Sequence, residues 1–171
     1  MIVLTVLPSS VRVDFRSLRY PGVISADTMP GGGTTDYALT IFHDALSTKH
    51  HVCYLRPDTR LPMMYVDDTL RATVDFLAVS SQQLSMRTYN VSAFSFTPHE
   101  LAAHIRNYLS YSISHSRDCA ADQWPEVFDD SRAQQDWGWQ PRYDVDLMCD
   151  TMMQALLPKY SGSQVVEAME K

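Results

Sequence analysis

Lysine is scarce in this chain of 171 residues. It occurs only at Lys49, Lys159 and Lys171, and the twenty acids outnumber all basic residues to leave a formal net charge of −6. So acidic a chain has no basic footprint for a phosphate backbone, which excludes nucleic acid as its natural partner. An anionic membrane surface is disfavoured for the same reason. Long apolar runs are also missing, and nothing approaches the roughly 18 residues of a membrane span. The apolar opening Met1–Leu7 ends at Pro8 with no basic residue before it and no small-residue cleavage site after it. It is a poor secretory signal, and with only Arg12 before the first acid, Asp14, a poor transit peptide. Three cysteines at irregular spacing (Cys53, Cys119, Cys149) make no disulfide framework and fit a reducing compartment. None of the six glycines forms a GxGxxG or GxxGxxG turn, so a dinucleotide cradle is absent. A phosphate-binding P-loop and a GxSxG elbow are absent as well.

What is present is the mix of a globular chain, 45% hydrophobic and 20% charged. Val11–Leu18 alternates with period 2 and predicts a strand that stops at Pro21-Gly22. A loop through Pro30 and Gly31–Gly33 follows. Thr34 or Thr35 then offers a cap for a helix with Tyr37, Ala38, Ile41, Phe42 and Ala45 on its buried stripe. Strands are predicted over His51–Leu55 and Leu61–Val66. Asp67-Asp68 next caps a helix whose stripe runs through Leu70, Ala72, Val74, Phe76 and Leu77. Arg87–Phe96 reads as one strand. Thr97-Pro98-His99-Glu100 is a capping box with proline at the first helical position, starting a helix on Leu101, Ile105 and Leu109. A short helix runs from Asp129-Asp130-Ser131 to Gly138. Asp144 or Asp146 caps a last helix through Met148, Met152 and Leu156, which Pro158 stops. Strands alternating with helices make an α/β chain.

Several clusters invite chemistry. Gly31–Gly33 with Thr34, Thr35, Asp36 and Tyr37 offers backbone amides to an anion and hydroxyls to a small polar ligand, or forms a plain loop and cap. His50 and His51 point to opposite faces of a strand and make no metal site, reading as exposed histidines at a turn. The cysteines read as core packing. Trp137 and Trp139 read as structural, whereas Trp124, on an irregular segment before Pro125, is the better ligand contact.

Six blocks in order carry a resemblance: Asp14–Gly22, Pro30–Ala38, Thr59–Tyr65, Arg87–Ser92, Phe96–Pro98 and Asp136–Trp139. Over about residues 13–157 the chain resembles the C-terminal half of the short-chain-dehydrogenase type of L-threonine 3-dehydrogenase, a relative of the UDP-sugar epimerases. The fold this implies is the C-terminal part of an extended short-chain dehydrogenase: an incomplete Rossmann-like fold plus a substrate-binding region. Residues 1–12 are an atypical segment outside the resemblance, and 158–171 a loose tail.

The resemblance further implies oxidation of the 3-hydroxyl of L-threonine to 2-amino-3-oxobutanoate, a step of threonine catabolism to glycine, with NAD as cofactor. The turn Tyr20, Pro21, Gly22 and Val23 is implied beside the nicotinamide. Thr35 is implied at the substrate with Thr34 and Tyr37 close by, and Trp124 over the pocket. The family's catalytic Tyr-x-x-x-Lys pair is absent, since no lysine here has a tyrosine four residues before it. The chain alone is therefore expected to be inactive. The alternative is a non-catalytic pseudoenzyme fragment that binds a ligand, a partner chain or a second copy through unpaired strand edges. Mitochondria are implied by resemblance, the cytoplasm by the missing transit peptide.

Overall fold

The computed structural model describes residues 2–6, 14–116, 121 and 124–169; for 2–6 and 162–169 the description is of the backbone alone. The order of elements is β1 (Ile2–Val6), β2 (Asp14–Arg19), β3 (Gly22–Ile24), α1 (Tyr37–Ser47), β4 (His50–Cys53), β5 (Leu61–Tyr65), α2 (Val66–Ala78), β6 (Thr88–Asn90), β7 (Phe94–Phe96), α3 (Pro98–Arg106), β8 (Ser112–His115), α4 (Ser131–Trp137) and α5 (Val145–Met169). This is a mixed α/β fold, as the alternation of patterns predicts. Three small sheets form, ordered β1-β2-β6, β3-β5-β7 and β4-β8. The β2–β6, β3–β5 and β4–β8 pairs are parallel, whereas β1–β2 and β5–β7 are antiparallel.

Two cores result. The larger packs α1, α3 and α5 on β3, β5 and β7, and the stripe Tyr37, Ala38, Ile41, Phe42 and Ala45 is fully buried in it. The smaller gathers Leu18, Met64, Phe76, Tyr89 and Trp139, with Trp137 packed against it. Trp137 and Trp139 are thus structural, their rings 5.7 Å apart. The capping box forms as predicted: Thr97 Oγ1 accepts from the Glu100 N–H and Glu100 accepts from the Thr97 N–H. Gly138 ends α4 at a left-handed φ of 72°. Asp144 caps α5 by accepting from the Leu147 N–H. Cys53 and Cys149 are buried thiols. Burial pushes both up, Cys149 to about 12, which suits packing and not nucleophilic chemistry. Cys119 lies outside the described residues, as do positions 11–13 of the first predicted strand.

Six expectations need correction. Neither Thr34 nor Thr35 caps α1, whose N-cap position is Asp36. The Arg87–Phe96 strand is two, β6 and β7, in different sheets, because Val91–Ala93 carries the chain from one core to the other. The loop after Pro21 begins as strand β3, whose three residues are too short for a period to register. Helix α2 begins one turn earlier than its acids suggest, and its stripe is Asp68, Ala72 and Phe76; Leu70 and Val74 are 61% and 65% exposed. His51 is buried, with 1% exposure, and its Nδ1 lies 2.7 Å from Asp44 Oδ2. Pro158 sits inside α5 and does not end it. Proline removes one helical donor, but the next turn is tied down. Lys159 Nζ donates to Ala26 O at 3.1 Å, and the Tyr160 hydroxyl is 2.7 Å from His43 Nδ1.

The buried carboxylate of Asp68 accepts from the N–H groups of Arg142 and Tyr143 at 2.8 and 3.0 Å and pairs with Arg71. It therefore ties α2 to the segment entering α5. Removing it strands two amides and leaves Arg71 to Asp75 and the Gln140 carbonyl, so Asp68→Ala is expected to cost about 3 kcal/mol in urea unfolding. Asp67→Ala, at an exposed neighbour, leaves the urea midpoint nearly unchanged.

His51 gives a pH dependence. Burial holds its pKa below the ordinary 6.5, against the pull of Asp44 and with a small push from His115 and His50. His43 is lowered as well, first by burial and then by Lys159. The unfolded chain therefore binds protons before the folded one does. Stability is full above about pH 6.5 and is lost as pH falls below it. Thermal unfolding between pH 7 and 5 should show this loss, with a shallower slope in His51→Gln; an unchanged slope would assign the loss elsewhere.

Candidate functional site

The connection from β2 to β3 moves the chain from one sheet to another within Tyr20-Pro21, and Gly22 lands in a space with no room for a side chain. A Cβ there would overlap Met63 Sδ and lie 2.8 Å from Thr35 Cγ2. Glycine is thus required by close approach, not by its backbone angles. The contact seats the methyl of Thr35 directly on β3.

Thr35 is held in place from its other side by an internal anion site. Asp36 stands at the N-cap of α1 but makes no capping bond to its own helix. Its Oδ2 turns back and accepts from the N–H groups of Gly31, Gly32 and Gly33 at 2.6, 2.7 and 2.9 Å. Gly32 takes a φ of +92°, which only glycine adopts freely. The glycine amides that the sequence offers to a ligand anion are therefore filled by the chain's own carboxylate, the kind of concave amide site described for anions. Tyr54 adds a second brace: its hydroxyl lies 2.9 and 3.0 Å from the carbonyls of Gly33 and Thr34 and accepts from the Tyr37 N–H at 3.0 Å.

A cavity of ≈ 330 Å³ opens beside this turn. Tyr20, Pro21, Gly22, Val23, Thr35 and Trp124 all line it, six of the eight residues singled out in the sequence, and Pro62, Pro125 and Phe128 complete its wall. The wall is mostly apolar, with Thr35 and Tyr20 as its hydroxyl-bearing residues. Tyr20 offers it a ring, since its hydroxyl is engaged 2.5 Å from Thr73 Oγ1, which itself donates to Thr69 O at 2.7 Å. Burial pushes Tyr20 up from its ordinary pKa.

Thr34 and Tyr37 do not line this cavity. The Tyr37 ring is fully buried, edge-on to Tyr54 and Phe96, because it is the first core residue of α1. Burial pushes its hydroxyl strongly upward. Thr34 serves through its carbonyl, on Tyr54. Trp124 is 47% exposed and also borders a second, polar cavity of ≈ 220 Å³. Arg60 lines that space while holding Glu100 and the Ser95 carbonyl.

Sequence reasoning missed Pro62, Pro125, Phe128, Tyr54 and Thr73. Pro62 sits inside one of the quoted blocks, which was its one signal. Tyr54 and Thr73 act on residues 17 to 53 positions away, and no local pattern announces that. Among the described residues, no group of three or more His, Cys, Asp or Glu is placed to hold a metal ion. No helix there is long and apolar enough to cross a membrane.

No family model matches the chain. Individual proteins do. The mitochondrial L-threonine 3-dehydrogenase of Bos taurus is 52% identical over 146 residues, which are 82% of this chain and 39% of the bovine protein. An uncharacterised epimerase/dehydratase of Staphylococcus haemolyticus is 39% identical over 153 residues, 86% of this chain and 48% of its own. The crystal structure of L-threonine dehydrogenase from Phytophthora infestans superposes with a TM-score of 0.83 at 46% identity, over 85% of this chain and 49% of that one. The chain thus spans less than half the length of the curated relatives it matches. In sequence and in fold it matches the C-terminal part of the L-threonine 3-dehydrogenases within the epimerase/dehydratase type of short-chain dehydrogenases.

Proposed function

We propose that the chain forms the substrate side of an NAD-dependent L-threonine 3-dehydrogenase and is inactive without a nucleotide-binding half. The observation that carries this reading is the single cavity shared by Tyr20–Val23, Thr35 and Trp124. The apolar turn at Pro21 and Val23, with Pro62 and Phe128, suits one face of a planar ring such as nicotinamide. A volume of ≈ 330 Å³ accommodates that end of the dinucleotide and not the whole of it, in keeping with the missing pyrophosphate cradle. NAD held against this turn would supply the hydride acceptor for oxidation at the carbon bearing the threonine 3-hydroxyl. Thr35 presents a hydroxyl to hydrogen-bond a substrate of that size, and Trp124 excludes water from one side.

Nothing at this wall takes the hydroxyl proton. Burial raises the pKa of both Tyr20 and Tyr37, and Lys159 is committed to Ala26 and Asp27 on the far end of α5. Without a general base, binding contacts alone give little rate enhancement. The second reading, a non-catalytic module that binds a small ligand or partner chain, rests on that missing base. Mitochondrial location is proposed from the bovine relative, and a partner chain that supplies the nucleotide-binding half belongs to the first reading.

Two measurements test this. With L-threonine and NAD supplied, the chain should form no NADH by absorbance; a threonine-dependent rise that disappears in Thr35→Ala would overturn the inactivity. In saturation-transfer NMR, nicotinamide mononucleotide and L-threonine should both receive signal from the chain. Gly22→Ala, which pushes a methyl onto Thr35 and Met63, should weaken both by roughly tenfold, the scale of one overpacked contact. Absence of any transfer to either compound would remove the site and leave the second reading.

A further inference from the structure

Strand β2 carries two edges of different character. On one, the Ser17 N–H donates to Arg87 O at 2.8 Å and Arg19 O accepts from the Val91 N–H at 3.1 Å. Ser17 and Arg19 therefore turn their backbone groups toward β6, which runs parallel. Backbone groups alternate in direction along a strand, so those of Arg16 and Leu18 point to the opposite edge. There β1 lies antiparallel, with Leu4 opposite Arg16 and Ile2 opposite Leu18. Among the described residues no other strand reaches this edge.

An open edge on β2 would be well suited to pairing with another chain. The strand is six residues long, contains no proline or glycine and keeps a continuous register with β1. Its charged Arg16 does not guard the edge, because the guanidinium turns inward to the Phe76 carbonyl at 2.6 Å and to Asp14. Its outer face leaves Phe15 47% exposed near one end and Arg19 exposed at the other, with buried Ser17 between them. We propose that β1, from the segment outside the resemblance, is a cover strand that keeps the β2 edge from pairing with the same edge of a second copy. At this edge β1 runs antiparallel to β2, and a two-fold axis between two copies would set β2 against β2 in that same direction.

Two variants of the full chain separate cover from bystander. Leu4 faces Arg16 in the ladder, so Leu4→Pro removes a donor to β2; the Thr5 N–H points away from β2, so Thr5→Pro keeps the ladder. Amide exchange at Arg16 and Leu18 and sedimentation over a concentration series are read on wild type and both variants. Wild type and Thr5→Pro should protect both amides and sediment as monomer throughout. Leu4→Pro should lose protection of Arg16 and Leu18 by about tenfold or more at low concentration and dimerise as concentration rises. Rapid exchange of these amides in the wild type would overturn the proposal. So would a Leu4→Pro protein that sediments like wild type at every concentration.

Discussion

The space around Gly22 constrains more of this molecule than any other contact. Strand β3 must approach β5 closely enough for Gly22 to pair with Met63, and the loop before α1 must press Thr35 onto the same atom. Both demands meet where a Cβ has no room. The turn preceding it must therefore carry the chain out of one sheet and into another within two residues. That fixes Tyr20 and Pro21 as one wall of the cavity, with Val23 on the next residue and Thr35 across from them. The cavity is a by-product of how closely these three segments pack, and its lining was set by that packing before any ligand is considered.

Much of the fold was legible because helices advertise themselves locally. The stripe of α1, the capping box of α3 and the glycine end of α4 each depend on residues within one or two turns of one another, and each formed where the spacing put it. Strands were less legible. β3 and β6 have three residues each, shorter than any period that can be counted, and their partners lie some forty and seventy residues away. The misread stripe of α2 has a particular cause: its inward position is filled by Asp68, a charge that burial makes tolerable because two backbone amides and Arg71 satisfy it. Hydrophobic periodicity cannot see a buried carboxylate.

The candidate site was legible in a different way. Composition and spacing found no catalytic pair and no cradle, and left Gly31–Tyr37 as an ambiguous loop and cap. Ordered blocks of residues, taken together, brought Tyr20–Val23, Thr35 and Trp124 into view, and these six share one cavity. Tyr37 stood in one of the same blocks and is a core residue. A block that marks a family mixes residues that shape a site with residues that hold up the wall behind it, and only burial tells the two apart. Val23 and Trp124 are the exposed members of the six, and Trp124 stands between an apolar and a polar chamber.

The carboxylate of Asp36 has one more effect. A loop of three glycines ahead of a helix is a place where phosphate or sulfate from the medium would ordinarily settle. Here that seat is taken by a tethered group whose effective concentration no dissolved salt matches. The loop that carries Thr35 is therefore braced from within, and Thr35 is positioned at the cavity without any dissolved ion having to fill or leave the glycine amides.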